Sequence, residues 1–161
     1  YQECMNFIHN FDTEHGNLLL FGNTGIGKTF LSHCIAKEVM DSLHSVLYLT
    51  ASEFFDALLE KALNRNDESC LLYEQIHLCD LLIIDDLGTE LTNSFVSSQL
   101  FLCLNERIMR RKSTIISTNL TLKNFSDTYS ERTFSRIASN YQMISLIGKD
   151  IRIQKIFLGG N

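Results

Sequence analysis

No segment limits the possible folds of this chain as strongly as the glycine-rich octet at residues 22–29. The octet reads Gly-Asn-Thr-Gly-Ile-Gly-Lys-Thr and matches the pattern G-x-x-x-x-G-K-[ST] throughout. An apolar run at 17–21 predicts a preceding strand, and apolar residues every four positions from Lys28 to about Leu43 predict a following helix. The glycines let successive backbone N–H groups point at a phosphate, and the helix N-terminus adds its positive dipole end. A phosphate-binding loop is therefore predicted, and a glycine-rich turn without a ligand is the weaker interpretation.

Two side chains at the end of the octet carry its predicted chemistry. Lys28 is expected to reach the β- and γ-phosphates of a nucleotide as a point charge, and the Thr29 hydroxyl is expected to coordinate Mg²⁺. The predicted nucleotide-binding residues of the loop are Asn23, Thr24, Gly25, Ile26, Gly27, Lys28 and Thr29.

Short apolar runs alternate with longer segments of helical period along the rest of the chain, which is typical of an α/β fold. We predict a five-stranded parallel sheet with helices on both faces. The predicted strands cover residues 17–21, 46–50, 81–84, 114–118 and 142–147. The predicted helices cover residues 28–43, 52–64, 69–78, 94–111 and 130–139.

Two acidic residues, Asp85 and Asp86, directly follow the apolar run at 81–84. The carboxyl ends of parallel strands line the ligand crevice of an open sheet, so these acids are expected near the phosphate loop. Asp85 is predicted to hold Mg²⁺ through water, and Asp86 to orient or deprotonate the attacking water. An acidic pair alone is more often a solvated strand end, and it is the phosphate loop upstream that favours the catalytic interpretation.

Three further polar residues extend the predicted site. Asn119 follows the strand at 114–118 and could bond the γ-phosphate or the water, although asparagine is also a common turn residue. Arg132 and Arg136 are four residues apart and share one helix face. Such a face is usually solvated, but in an oligomeric ATPase it could supply an arginine finger.

Composition excludes several other classes of protein. The formal net charge of −5 does not fit a general polyanion binder, so nucleic acid would need a local basic patch. No apolar window is long enough for a membrane span, and a single cytoplasmic domain over residues 1–161 is expected. The five scattered cysteines are expected to be buried thiols. Because the chain does not begin with Met, we expect it to be a piece of a longer protein.

Candidate DNA contacts are weaker. One basic cluster ends the predicted helix at 94–111, but cations there also complement the helix dipole. It consists of Arg107, Arg110, Arg111 and Lys112, and a second cluster consists of Lys149, Arg152 and Lys155. Aromatic residues that could stack on bases, or equally fill a buried helix face, are Phe54, Phe55 and Tyr73.

Taken together, these motifs resemble the AAA+ ATPase domain of bacterial helicase loaders, the DnaC/DnaI group, with the IstB-type transposition ATPases as relatives. The resemblance covers about Gly16 to Leu158. It is carried by the octet, by Leu-Leu-Ile-Ile-Asp-Asp-Leu-Gly, by Ser-Thr-Asn, by Glu-Arg-Thr-Phe-Ser-Arg-Ile and by Gly-Lys-Asp-Ile-Arg at 148–152.

The resemblance implies a role for each matched residue. Lys28 and Thr29 become Walker A residues, Asp85 and Asp86 Walker B residues, and Asn119 the first sensor. Arg136 becomes the finger offered to a neighbouring protomer, with Arg132 in reserve, and Arg152 becomes the second sensor. Most AAA+ proteins carry Glu where this chain has Asp86, which makes vigorous hydrolysis by the isolated chain less expected.

The resemblance also implies cofactors and partners. ATP or ADP with Mg²⁺, a homo-oligomer in the ATP-bound state, single-stranded DNA and a replicative helicase are expected, and a membrane is not. The helicase would be held by an N-terminal domain that this segment lacks. An IstB-like helper acting on duplex target DNA is the main alternative, followed by a non-hydrolysing nucleotide-dependent scaffold and a small-molecule kinase.

Overall fold

Five parallel strands form one sheet, in the order β2-β3-β4-β1-β5, in a computed structural model that describes residues 2–63, 67–148, 150 and 151. The strands are β1 (Leu18–Phe21), β2 (Val46–Thr50), β3 (Leu81–Leu87), β4 (Ser113–Thr118) and β5 (Gln142–Ser145). The helices are α1 (Gln2–His9), α2 (Lys28–Asp41), α3 (Ala51–Ala62), α4 (Asp67–Leu78), α5 (Ser94–Met109), α6 (Leu122–Tyr129) and α7 (Glu131–Asn140).

Every strand and helix predicted above is present, with ends that differ by at most three residues. The largest difference is in β3, which continues through the two acids to Leu87. The sequence analysis missed α1 and α6, which are eight residues each. In α6 only Phe125 and Tyr129 are buried, and its Asn, Ser, Asp and Thr residues are weak helix formers, so tertiary packing decides its conformation.

Alternate residues of the strands pack on opposite faces of the sheet, as expected for a sheet covered on both sides. Leu18 and Leu20 of β1 pack with the buried residues of α1 and α2. Leu19 packs instead with the cluster that includes buried residues of α3, α5, α6 and α7. The predicted parallel sheet with helices on both faces is therefore confirmed.

The strand order decides which predicted site residues can meet. β4 lies between β1 and β3, and Thr118 is in register with Phe21 of β1 and Leu87 of β3. The phosphate loop follows Phe21, and Asn119 follows Thr118. The loop, the acidic pair and Asn119 thus leave adjacent strands at the same edge of the sheet.

Arg107 lies inside the protein, which contradicts its assignment to a DNA-binding cluster. Its side chain is 0% exposed, and its guanidinium donates to the carbonyl oxygens of Ile76 (2.7 Å), Cys79 (3.2 Å) and Ser113 (2.6 Å). It therefore joins the end of α4 to the start of β4 by satisfying backbone acceptors that would otherwise be buried without a donor.

The other candidate DNA-binding residues differ in their surroundings. Arg110 pairs with Glu106 at 2.9 Å and Lys112 with Asp80 at 2.8 Å, whereas Arg111 is exposed. Phe54 and Phe55 are buried, which agrees with the alternative that they fill a helix face, and Tyr73 is half-buried. Lys149, Arg152 and Lys155 lie outside the described residues.

The cysteine prediction holds for three of the thiols. Cys4, Cys79 and Cys103 are buried, whereas Cys34 on α2 is exposed, and the side chain of Cys70 lies outside the description. Burial raises the pKa of the Cys103 thiol to about 12, which keeps it protonated and unreactive. Among the described residues, no helix has the length and apolar character that a membrane span requires.

Replacing the buried guanidinium should destabilise the fold. In Arg107→Met the carbonyls of Ile76, Cys79 and Ser113 lose a charged donor, and we expect the free energy of unfolding to fall by about 3 kcal/mol or more. Urea unfolding followed by circular dichroism measures the change. The control Arg111→Met, at an exposed neighbour, should stay within about 0.5 kcal/mol of the parent; equal effects of the two substitutions would contradict the structural role of Arg107.

Candidate nucleotide-binding site

The phosphate loop opens directly onto the start of α2. Gly27 caps that helix in the left-handed conformation (φ 97°), which residues with a Cβ rarely adopt. The first turn of α2 contains no acidic residue, and no side chain caps its N–H groups. The amino end of the helix is therefore available to an anion, as a phosphate-binding loop requires.

Lys28 connects the phosphate loop to the end of β4. Its side chain is 4% exposed, and Nζ donates to the carbonyl oxygens of Gly22 and Asn23, both at 2.8 Å, and to Oδ1 of Asn119 at 2.6 Å. The structure thus brings together the predicted Walker A lysine and the predicted first sensor. A γ-phosphate that reaches Lys28 would also be near the Asn119 amide.

Asp85 is held from both sides behind the loop. It is 4% exposed, its Oδ2 accepts a hydrogen bond from the Tyr48 hydroxyl at 2.7 Å, and its Oδ1 accepts one from Ser117 Oγ. The pKa of Tyr48 is raised well above its ordinary value by burial and by the hydrogen bond to Asp85. Tyr48 consequently remains a donor at any physiological pH, and the carboxylate cannot swing freely.

Asp86 adopts an unusual backbone conformation for a non-glycine residue. Its φ is 56°, and the register between β3 and β4 shifts between Ile84 and Leu87. The Asp86 N–H donates to Ser117 Oγ at 2.9 Å, so that one serine bonds both neighbouring acids. Asp86 lines the same cavity as Lys28 and Thr29, whereas Asp85 remains buried.

A cavity of about 630 Å³ collects most of the predicted site. The predicted residues that line it are Thr24, Gly25, Gly27, Lys28, Thr29, Asp86 and Asn119. Asn23 lines a neighbouring cavity, and the Ile26 side chain lies over Gly22 instead of facing the phosphate position. Phe30, His33 and Ile151 also line the main cavity.

The sequence analysis missed several residues that shape this cavity. Tyr48 and Ser117 hold the acids, but each lies within a strand that reads as ordinary core, and only the strand order gives them a role. Phe30 could have been singled out from the sequence, because it is a large apolar residue that directly follows the octet. It is 74% exposed, at the mouth of the cavity.

The donor atoms present fit Mg²⁺. Thr29 lines the cavity and offers a hydroxyl, whereas Asp85 is buried, does not line the cavity and offers a carboxylate that can reach a metal through water. Both are hard oxygen ligands of the kind that Mg²⁺ prefers. Among the described residues no group of three His, Cys, Asp or Glu side chains could hold a metal by itself. Mg²⁺ at phosphate sites uses only one or two protein carboxylates and takes its remaining ligands from water and phosphates, so a sparse set is the expected one.

Arg132 and Arg136 lie away from the phosphate loop. The Arg132 guanidinium sits 4.0 Å from the centroid of the Phe101 ring, a cation–π contact. With Ser135 and Ser139, the two arginines and Phe101 line a separate cavity of about 270 Å³ between α5 and α7. The structure therefore does not bring either arginine to the cavity of its own chain. Arg152 lies outside the described residues.

A segment after β5 crosses the phosphate loop. The Leu146 carbonyl approaches Gly22 so closely that a Cβ there would lie 2.3 Å from its oxygen, and the Ile151 N–H donates to the Gly25 carbonyl at 2.9 Å. The Asp150 carboxylate lies against Gly25, where a Cβ would meet its Cγ at 2.2 Å. A negative charge is thus placed beside the loop that should receive phosphates.

Relatives of this chain include an insertion sequence protein, replication initiators and helicase loaders. An insertion sequence ATP-binding protein, y4pL of Sinorhizobium fredii, is 31% identical over 144 residues, which are 86% of this chain and 57% of that protein. The replicative helicase loader DnaC of Escherichia coli strain K12 is 22% identical over 131 residues, which are 81% of this chain and 54% of the loader. The chain therefore spans about half the length of these two relatives.

Solved structures share the fold. The crystal structure of the DnaC helicase loader superposes with a TM-score of 0.79 at 21% identity, over 91% of this chain and 87% of that one. The replication initiator DnaA bound to AMPPCP and single-stranded DNA gives a TM-score of 0.79 at 19% identity, over 99% of this chain and 49% of that one. At these identities the similarity shows the fold alone, which is that of the AAA+ P-loop ATPase domains.

One sequence profile covers nearly the whole chain. Residues 4–154 match the family described as IstB-like ATP binding protein. The predicted resemblance to the DnaC/DnaI group and its IstB relatives is therefore confirmed. The chain belongs to the family of IstB-like ATP-binding proteins.

Proposed function

We propose that this domain hydrolyses ATP·Mg²⁺ as the nucleotide switch of a helicase loader, which helps to place the replicative helicase on single-stranded DNA. The observation that carries the ATPase proposal is the 2.6 Å hydrogen bond between Lys28 and Asn119, on a cavity that Asp86 also lines. A lysine, an amide and a carboxylate, supplied by three neighbouring strands, are the groups needed to bind a γ-phosphate and direct water at it.

Each residue has a separate task in this proposal. The loop N–H groups and Lys28 bind the β- and γ-phosphates, while Thr29 and the water-bridged Asp85 hold Mg²⁺, which offsets charge on the phosphates. Asp86 accepts a hydrogen bond from the attacking water and aligns it, and Asn119 fixes the γ-phosphate or that water. Tyr48 and Ser117 keep Asp85 in place by donating to its two oxygens.

The finger is proposed to come from a neighbouring protomer. Arg132 and Arg136 line a cavity other than that of the phosphate loop, which agrees with a role in a second protomer's site. Arg136 is the better candidate, because Arg132 already stacks on Phe101. A finger of this kind contributes about 10³–10⁵ in rate, so activity should depend on assembly into an ATP-bound homo-oligomer.

The proposal of a helicase loader depends on the similarity of this chain to DnaC. DnaC is similar over 81% of this chain, and the crystal structure of the DnaC loader is similar over 91% of it. Contact with the helicase is proposed to lie in an N-terminal domain outside this segment. Cytoplasmic location follows from the same proposal, since replicative helicases act on the chromosome.

A second candidate function is favoured by a different observation. The family profile is IstB-like, and the 31% identical relative is an insertion sequence ATP-binding protein. An ATPase of that kind would act on duplex target DNA during transposition. The same site chemistry serves both functions, so DNA preference is what separates them.

Turnover should rise with protein concentration if the site is shared. We expect ATP hydrolysis per protomer, measured by phosphate release, to climb with concentration and to fall at least about 10³-fold in Arg136→Ala. Nucleotide binding should survive in that variant, with ATP·Mg²⁺ still stabilising the fold by about 2.7 kcal/mol at a hundred times its Kd. Arg132→Ala is the matched control. Flat turnover near zero would reduce the domain to a nucleotide-binding module, and a missing thermal shift would overturn nucleotide binding itself.

DNA preference should distinguish the two candidate functions. A helicase loader is expected to bind a single-stranded oligonucleotide more tightly than the same sequence as duplex, in the presence of a non-hydrolysable ATP analogue. Fluorescence anisotropy at several salt concentrations measures both affinities. Lys28→Ala should remove the effect of the analogue without changing the surface. Tighter binding to duplex would favour the transposition helper.

A further inference from the structure

The loop that follows Asp86 is fixed by its own hydrogen bonds. The Thr89 hydroxyl donates to the Asp86 carbonyl oxygen at 2.9 Å, and the Gly88 N–H donates to Glu90 Oε2 at 3.0 Å. Gly88 has a φ of 104°, and a Cβ there would lie 2.7 Å from the Leu120 side chain. The backbone from Asp86 to Glu90 therefore has little freedom to move independently of the Glu90 carboxylate.

The second oxygen of that carboxylate reaches a different part of the molecule. Glu90 Oε1 accepts a hydrogen bond from the hydroxyl of Tyr129, the last residue of α6, which is 0% exposed. The pKa of Tyr129 is raised far above its ordinary value by burial and by this hydrogen bond, so the hydroxyl stays a donor. Both oxygens of Glu90 are thus engaged, one by the loop after Asp86 and one by α6.

Tyr129 adjoins the start of α7. The next residue, Ser130, has a φ of 84°, and its hydroxyl accepts a hydrogen bond from the Thr133 N–H at 3.4 Å, which caps α7. Thr133 itself is buried. Tyr129 is held on one side of this junction, and α7 is capped on the other. A shift of α7 should therefore also move Tyr129. Arg136 is carried by that helix.

We propose that Glu90 is a positioning residue, which couples the loop carrying Asp86 to the helix carrying Arg136 through Gly88 and Tyr129. The inference rests on the proposed function, in which Asp86 acts in its own protomer and Arg136 in the next. A displacement of the Asp86 loop upon γ-phosphate binding is then transmitted to the arginine offered to the neighbour. The link connects successive sites of the oligomer through one carboxylate.

A simple structural role would predict something different. The Tyr129 hydroxyl needs an acceptor because it is buried, and any acceptor would satisfy that need. A structural contact would therefore affect stability and nucleotide binding together. A positioning contact affects turnover while the nucleotide remains bound. The hydrogen bonds described for Glu90 are to Gly88 and Tyr129, and those described for Lys28 are to Gly22, Asn23 and Asn119, so the two sets share no residue.

Removal of the Tyr129 hydroxyl tests the coupling through its effect on turnover. In Tyr129→Phe the ring remains and the hydroxyl is lost, and we expect kcat to fall about tenfold or more, as for a small misplacement of catalytic groups, with the Kd for ATP within about twofold of the parent. Glu90→Gln retains one acceptor oxygen and should fall between Tyr129→Phe and the parent, whereas Glu90→Ala should match Tyr129→Phe. The control Tyr141→Phe removes a hydroxyl from another buried tyrosine, and its kcat should not change. Equal kcat in Tyr129→Phe and Tyr141→Phe would overturn the proposal.

A second measurement does not depend on turnover. Hydrogen exchange with and without a non-hydrolysable ATP analogue and Mg²⁺ should show protection of both the 86–90 loop and the start of α7 in the parent chain. In Tyr129→Phe the loop should still respond while α7 does not. If α7 responds equally in the variant, or never responds in the parent, the coupling is overturned. Because nucleotide binding alone drives this readout, it fails separately from the proposed ATPase activity.

Discussion

The carboxyl end of β4 is the point on which the site depends. β4 lies between β1 and β3, so its last residues are within reach of both neighbours. Ser117 bonds the Asp85 carboxylate and the Asp86 N–H on one side, and Asn119, two positions later, bonds Lys28 on the other. One strand therefore aligns the acidic pair with the phosphate loop.

The unusual backbone of Asp86 affects how far its side chain reaches into the site. Aspartate is one methylene shorter than the glutamate found at this position in most AAA+ proteins, and its reach is correspondingly less. Here the left-handed backbone and the irregular register of β3 bring Asp86 to the lining of the cavity. Such a conformation costs about 1–3 kcal/mol and persists only where the surroundings enforce it. Ser117 and Thr89, which bond the backbone of Asp86, provide that enforcement.

How far the sequence predicts the molecule depends on how local the determining interactions are. The position of the phosphate loop between β1 and α2 could be predicted, because its glycines, its lysine and the adjoining helix are contiguous in the chain. Tyr48 and Ser117 could not be assigned a role, since each contacts Asp85 from a different strand and nothing in either segment records the strand order. Helix α6 was missed for a related reason, because burial of Phe125 and Tyr129 outweighs the weak local preference of its other residues.

Two buried cations show why the place of a basic residue in the sequence does not reveal its role. Arg107 and Lys28 are 0% and 4% exposed, and both donate to backbone carbonyls. The guanidinium of Arg107 is enclosed by backbone oxygens at the junction of α4 and β4, so it is structural in spite of its place in a basic run. Lys28 lines a cavity of about 630 Å³ beside an uncapped helix N-terminus. In the proposed function it exchanges its contacts with carbonyl oxygens for contacts with phosphate oxygens. A buried cation indicates function when space for an anion adjoins it, and the sequence alone does not reveal that space.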